Sequence, residues 1–280
     1  MKYQITNGDI SRYEEHLMQE EKAPATIEKY LRDVRSFAAW LSGREVTKQQ
    51  AADWKGHLAA SHYTAVTINS MLSAINSFFR FRGWEDCRVR FLRVQRRSFR
   101  EQSENLNLQE YRHLVQAANA QGKQRLSLLL ETICGTGIRV SELRYITMEA
   151  VKRGKAEISL KGKLRVILLP EKLCRKLLAY GKNQKIASGE LFLTKSGKSL
   201  SRRQIWSEMK QLSRQVGVQP DKVFPHNLRR LFARSFYRAN GDIVKLADIL
   251  GHSSIDTTRI YLISTGAEHM RQLNGLGLVS

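Results

Sequence analysis

Six side chains of this 280-residue chain would, once brought together, suffice for one reaction: Arg139, Lys161, His226, Arg229, His252 and Tyr261. An oxygen nucleophile attacking a phosphodiester passes through a phosphorane-like state that carries extra negative charge. Where no divalent ion is present, fixed cations must meet that charge, and bidentate guanidinium groups suit the task. A tyrosine hydroxyl, with an ordinary pKa of about 10, needs a cationic setting or a nearby base to attack at neutral pH. A histidine can accept its proton, and a lysine can protonate the departing oxygen. The set is chemically complete.

Each member is weak alone. In GTGIRVSEL, Gly135 and Gly137 break one helix and open another, which puts Arg139 in the second helix's first turn. There it either pairs with Glu142 or clamps a phosphate beside free backbone N–H groups. Lys161 falls at a hairpin tip, LKGKLR, where a lysine is ordinarily just solvated but can also deliver a proton. In FPHNLRRLF, His226 and Arg229 share a helix face while Leu228 and Phe232 point to the core; a plain surface pair is the alternative. In ILGHSSIDTTRIYL, Ser253 and Asp256 cap a short helix, and Ile255 and Leu262 form its apolar edge. Tyr261 lies off that edge, beside Thr257 and Thr258, and is either a packing residue or a nucleophile.

The elements around these residues follow from periodicity. Ile10, Tyr13 and Leu17 mark one helix; Ile27, Leu31, Val34, Ala38 and Leu41 mark a second. Thr47 caps a third, and Ile68, Leu72, Ile75 and Phe79 stripe a fourth. Asn107 and Glu110 form a capping box, and another helix runs through Leu126–Ile133. AEISLKGKLRVILLP reads as a β-hairpin, GELFLT as one more short strand, and helices return from Ser201 onward. The expected fold is mainly α with a small β-sheet (α+β). Its domains would be a helical unit over 1–90, an arginine-rich linker over 91–104, and a mixed α/β unit over 105–280.

Charge identifies the partner. Lys+Arg 47 against Asp+Glu 26 gives a net charge of +21 and a pI near 10.2. The first 104 residues carry 17 basic and 13 acidic side chains, and the remaining residues carry 30 and 13. Such an excess points to a polyanion, with nucleic acid the leading candidate. Eight arginines and no lysine fall between Arg80 and Arg100, either as a solvated linker or as phosphate contacts. No apolar run approaches the roughly 18 residues of a membrane span, and no signal-peptide core opens the chain. Cys87, Cys134 and Cys174 are far apart and read as reduced thiols of a cytosolic protein. Neither they nor the seven histidines form a ligand pair, so the chemistry is expected to need no metal and no cofactor.

These motifs resemble those of the tyrosine recombinases, the phage integrase family. Its T-G-x-R-x-x-E-L box appears as Thr136 to Leu143, its H-x-L-R box as His226 to Arg229, and its L-G-H box as Leu250 to His252. The tyrosine after T-T is Tyr261, and the hairpin lysine maps to Lys161 or Lys163. The resemblance implies a core-binding SAM-like domain followed by a catalytic domain. Arg139 and Arg229 would hold the scissile phosphate, with His226 and His252 assisting. Tyr261 would form a 3′-phosphotyrosyl link while Lys161 protonates the 5′ leaving group, so that neither ATP nor metal is required. DNA contacts are assigned to Arg93, Arg96, Arg97, Arg100, Lys163 and Arg230. The implied partner is double-stranded DNA with paired inverted core sites, bound by a homotetramer that is a monomer or weak oligomer when free.

The segment after Tyr261 would exchange between protomers. The short lead before the first helix implies a minimal recombinase, cytoplasmic and associated with the nucleoid, of the kind found in mobile elements or dimer resolution. Arg230 departs from the pattern, standing where many relatives have histidine. Two other functions fit the same residues: a catalytically silent DNA-binding regulator, and a type IB topoisomerase.

Overall fold

In the computed structural model of the chain, residues 3–94, 105–160, 163–263, 270–271 and 274–276 are described. The chain forms two compact units, Met1–Arg96 and Arg97–Ser280. Among the described residues, no helix is long and apolar enough to cross a membrane.

The first unit holds four helices: α1 (Asn7–Gln19), α2 (Pro24–Leu41), α3 (Lys48–Ala60) and α4 (Ala65–Arg82). Their starts are written locally. Thr6, Thr47 and Thr64 each accept a backbone N–H of the following turn, and Pro24 occupies the first position of α2, where no N–H is needed. Tyr13, Leu17, Phe37, Trp54, Leu72, Phe78 and Phe79 fill the core. The arginine run divides here. Arg82 pairs with buried Asp9 at 2.7 Å and Arg88 with Glu85 at 2.5 Å, so these two serve the first unit itself.

The extended chain after α4 is held by two asparagines spaced seven apart on that helix. Asn76 donates to Val89 O (2.9 Å) and accepts from Val89 N (3.0 Å). Asn69 does the same for Leu92, at 2.9 and 2.8 Å. Each amide thus imitates a neighbouring strand, which satisfies backbone groups that burial would otherwise orphan.

The second unit opens with α5 (Leu108–Ala120), capped by the expected Asn107–Glu110 box, and α6 (Gln124–Thr136). A 3-10 turn (Val140–Tyr145) and α7 (Met148–Arg153) lead to the hairpin β1 (Lys155–Leu160) and β2 (Lys163–Leu168). The strands are antiparallel, with Lys155 opposite Leu168 and Leu160 opposite Lys163. Helices α8 (Glu171–Asn183), α9 (Arg202–Gln215), α10 (Pro225–Asn240), α11 (Ile243–Leu250) and α12 (Ile255–Leu262) complete it. Leu126, Leu128, Leu129, Leu130 and Ile133 bury α6 on nearly every side, as its apolar sequence requires, and α5, α8 and α10 pack around it.

Three local expectations are corrected. GELFLT makes only isolated bridges, Thr147 to Glu190 and Leu193 to Ser199, because its two ends pair with different segments and no ladder can propagate. Gly135 lies inside α6, and Arg139 is the N-cap of the 3-10 turn rather than a member of a helical first turn. The cap of α12 is Ser254, not Ser253.

Replacing Asn76 with alanine strips the partners from two buried backbone groups of Val89. The expected loss is about 2–4 kcal/mol, read from urea unfolding of the full chain. A loss below about 1 kcal/mol would mean that water satisfies Val89 instead.

Candidate active site

The site is assembled by the end of α11. A helix leaves its last carbonyls without intrahelical donors, and its C-terminus favours cations. Here three consecutive carbonyls each take one arginine. Ile249 O accepts from Arg165 Nη2 at 2.7 Å, Leu250 O from Arg229 Nη2 at 2.7 Å, and Gly251 O from Arg139 Nη2 at 3.2 Å. Arg229 also donates through Nη1 to Gly137 O, just past the end of α6. Two helix C-termini therefore hold one buried guanidinium.

Both turns need glycine. Gly137 (φ +64°) and Gly251 (φ +63°) are left-handed, where a side chain is strained. There is also no room. A Cβ on Gly137 would lie 2.5 Å from the Phe232 ring, and one on Gly251 2.5 Å from Arg165 Cδ.

Glu142 supplies one negative charge against the three arginines. It accepts from Arg139 Nη1 at 2.9 Å and Arg165 Nη1 at 3.1 Å, and from the Arg139 backbone at 2.9 Å. Arg139 pairs with Glu142, as its motif allowed, and its side chain stays 41% exposed. Most of the compensation comes from neutral carbonyls, so the cluster keeps a surplus of positive charge. Burial, then repulsion from Arg139, lowers the Arg229 pKa to about 10, with Tyr261 opposing the shift by charge and hydrogen bonding. Arg229 stays cationic at neutral pH.

His252 Nε2 lies 3.0 Å from Arg229 Nη2, and its Nδ1 lies 2.9 Å from Thr258 Oγ1. The Tyr261 ring stacks on His252 (5.3 Å between centroids, 10° between planes) and tilts against His226 at 5.0 Å. Arg229 Cζ is 5.9 Å from its centroid. Tyr261 is also buried, in a cluster with Ala233, Leu246 and Leu250. Its ring is therefore packed, and it lies beside Arg229 and both histidines.

Arg139, His226, Arg229, His252 and Tyr261 are brought together. Lys161 lies outside the described residues, as do Arg96, Arg97 and Arg100. Lys163 opens β2, Arg93 is exposed, and Arg230 is buried with Nη1 donating to Asn227 Oδ1 at 2.7 Å.

Of the apolar edge expected for α12, Leu262 packs against the core and Ile255 does not. Ile255 is 48% exposed, and Thr258 and Tyr261 turn inward instead. Polar partners waiting inside make burial of these two hydroxyl-bearing side chains tolerable. Arg165 was missed altogether. Strand register would have found it: Ile158 and Ala156, inward on β1, face Arg165 and Ile167, so Arg165 must point inward too.

The phage integrase family model matches residues 104–268, and the phage integrase N-terminal SAM-like domain model matches residues 10–86. The chain belongs to the phage integrase family, and it is a tyrosine site-specific recombinase. It is 30% identical to tyrosine recombinase XerA of Thermococcus kodakarensis over 274 residues, covering 95% of this chain and 94% of that one. Tyrosine recombinase XerD of Bifidobacterium longum is 27% identical, covering 92% and 94%. Among solved structures, a lambda integrase(75-356) dimer bound to a COC′ core site shares the fold at 18% identity, with a TM-score of 0.75 over 93% of this chain and 96% of that one. The XerA recombinase crystal structure is 24% identical, with a TM-score of 0.55 over 99% and 100%. The regulator and topoisomerase readings are not favoured by these matches.

Two outcomes follow from the geometry. Arg165→Ala leaves the Glu142 carboxylate buried with a single cation, and should cost about 3 kcal/mol of stability in urea titrations. His252 titrates unusually: burial first, then the positive charges of Arg229, Arg139, Arg165 and His226, lower its pKa from 6.5 to about 4. Between those values the unfolded chain holds the proton and the folded chain does not, so stability falls as pH drops through that window. The urea midpoint of the wild type should fall more steeply there than that of His252→Gln.

Proposed function

We propose that Tyr261 is the nucleophile by which this recombinase cuts and rejoins duplex DNA, with Arg139 and Arg229 holding the scissile phosphate. The observation that carries this reading is the placement of Tyr261 against both histidines and Arg229, within a cluster whose positive charge is mostly unneutralised. The Tyr261 oxygen attacks phosphorus and forms a 3′-phosphotyrosyl bond while the bond to the 5′ oxygen breaks. His226, exposed beside the ring, takes the phenol proton. Lys161 gives a proton to the departing 5′ oxygen. Attack by a partner strand's 5′-hydroxyl reverses the step, so the phosphodiester energy is conserved and no ATP is used.

Assembly belongs to the same proposal. Four protomers would act on two DNA sites with inverted core sequences, the helical unit and the catalytic unit gripping the duplex and residues 91–104 tracking its phosphates. The segment after Tyr261 would dock on a neighbouring protomer. The reaction would take place in the cytoplasm, on nucleoid DNA. Whether a site pair is integrated, excised, inverted or resolved depends on how the sites are placed.

A nicked duplex carrying the target site should trap a covalent adduct that survives denaturing electrophoresis. Tyr261→Phe should bind that duplex as the wild type does and yield no adduct; an adduct from that variant would overturn the assignment. Relaxation of any supercoiled plasmid, regardless of site, would favour a topoisomerase. A 5′-bridging sulfur makes the leaving group independent of a proton donor. It should restore cleavage to Lys161→Ala, and rescue of Lys163→Ala alone would move the role to Lys163. Affinity should fall with salt by roughly 0.9 log units per phosphate contact per log unit of salt.

A further inference from the structure

We propose that Thr258 is a positioning residue: its hydroxyl accepts the Nδ1 proton of His252 and so ties the state of that histidine to the placement of the helix carrying Tyr261. The proposal rests on the strand-transfer reading of Tyr261 and His252. Its geometric basis is a chain of three groups. A guanidinium has only donors, so where Arg229 Nη2 meets His252 Nε2 at 3.0 Å the nitrogen must accept. A neutral imidazole that accepts at Nε2 carries its hydrogen on Nδ1. That hydrogen points to Thr258 Oγ1, 2.9 Å away.

Thr258 is fully buried, one helical turn before Tyr261, and both point into the site from the same face of α12. A buried hydroxyl in a helix can satisfy itself on its own backbone. This one spans to a residue of the preceding turn instead. The consequence is selective. With Nδ1–H committed to Thr258, Nε2 is the nitrogen left to accept from Arg229, and it does so without the ring turning over. If α12 moves away, His252 loses the partner that fixes its tautomer. Nucleophile placement and histidine state are then one event rather than two.

The test compares Thr258→Val, which keeps the shape and removes the acceptor, with Thr258→Ser, which keeps the acceptor. Full-length protein labelled with 15N in its histidines gives a direct tautomer signature, with His252→Gln identifying the signal. The wild type and Thr258→Ser should show a protonated Nδ1 and an unprotonated Nε2 near neutral pH. Thr258→Val should show a mixture or the opposite tautomer. On the nicked duplex, Thr258→Val should form the covalent adduct roughly tenfold or more slowly, with DNA affinity unchanged. Thr258→Ser should restore the rate to within about threefold of the wild type.

A wild-type signal with the proton on Nε2 overturns the proposal, and so does a Thr258→Val variant that keeps both tautomer and rate. Thr258→Ser behaving like valine also overturns it, since the hydroxyl is then not the operative group. If the wild type forms no adduct at Tyr261, the strand-transfer reading fails on its own. The nitrogen spectrum still decides the role of Thr258, and it does so on the wild type even if the valine variant does not fold.

Discussion

Three guanidinium groups converge on the last carbonyls of α11, and the site depends on the way their charge is tolerated. Arginines this close repel one another, and burial of Arg229 adds a desolvation cost. Pairing each with a carboxylate would remove the repulsion and also remove the capacity to hold an anion. The chain uses helix-end carbonyls, which are strong acceptors with partial negative charge but no net charge. Glu142 contributes a single full charge, shared between Arg139 and Arg165. What remains is a cluster whose terminal guanidinium nitrogens find acceptors while the Nε atoms of Arg165 and Arg229 find none, and whose charge is mostly unbalanced. The phosphate proposed to bind there, which gains negative charge on the way to a phosphorane, would complete it.

The same constraint explains the glycines. For α11 to present three carbonyls in succession, the chain must leave the helix through a left-handed residue, and Arg165 must lie where a side chain on that residue would be. Gly137 plays the matching part at the end of α6, where Phe232 and Leu250 close over it. The short boxes that carry these glycines thus encode helix ends as much as they encode reactive groups. His252 belongs to this frame as well. Set among cations and partly buried, it stays neutral at ordinary pH, so in the free protein it serves as a hydrogen-bonding group and not as a further positive charge.

Much of this was legible in the residues, because caps and boxes are local. Asn107 and Glu110, Thr47, and the order of the arginine, histidine and tyrosine boxes depend on spacings of a few residues, and these spacings survive folding intact. What escaped depends on partners distant in sequence. Arg165 reads as one more cation in a basic hairpin until its cross-strand neighbours Ile158 and Ala156 are known to face the core. The arginine run from Arg80 reads as a linker until Asp9 and Glu85 claim Arg82 and Arg88. In α12 apolar periodicity held for Leu262 and misled for Ile255. Eight residues define a face poorly, and the pocket they enter is lined by a histidine and an arginine as well as by hydrocarbon.

That last point bears on how the nucleophile is held. Helix α12 buries Thr258 and Tyr261, packs Leu262 against an apolar cluster and leaves Ile255 and Ile260 about half exposed, so its docking is part apolar and part polar. Its anchors are the apolar cluster of Ala233, Leu246 and Leu250 around Tyr261, a hydroxyl on His252, and a phenol ring stacked on His252 and tilted against His226 near the charge of Arg229. Apolar packing is indifferent to what occupies the site, whereas the Arg229–His252 contact would change if an anion took the same Arg229 donor. A helix held in part by polar and charged groups has an affinity for its place that depends on the state of those groups. On the role proposed for Tyr261, an anion bound at Arg229 would reach that ring through His252 and Thr258 alone.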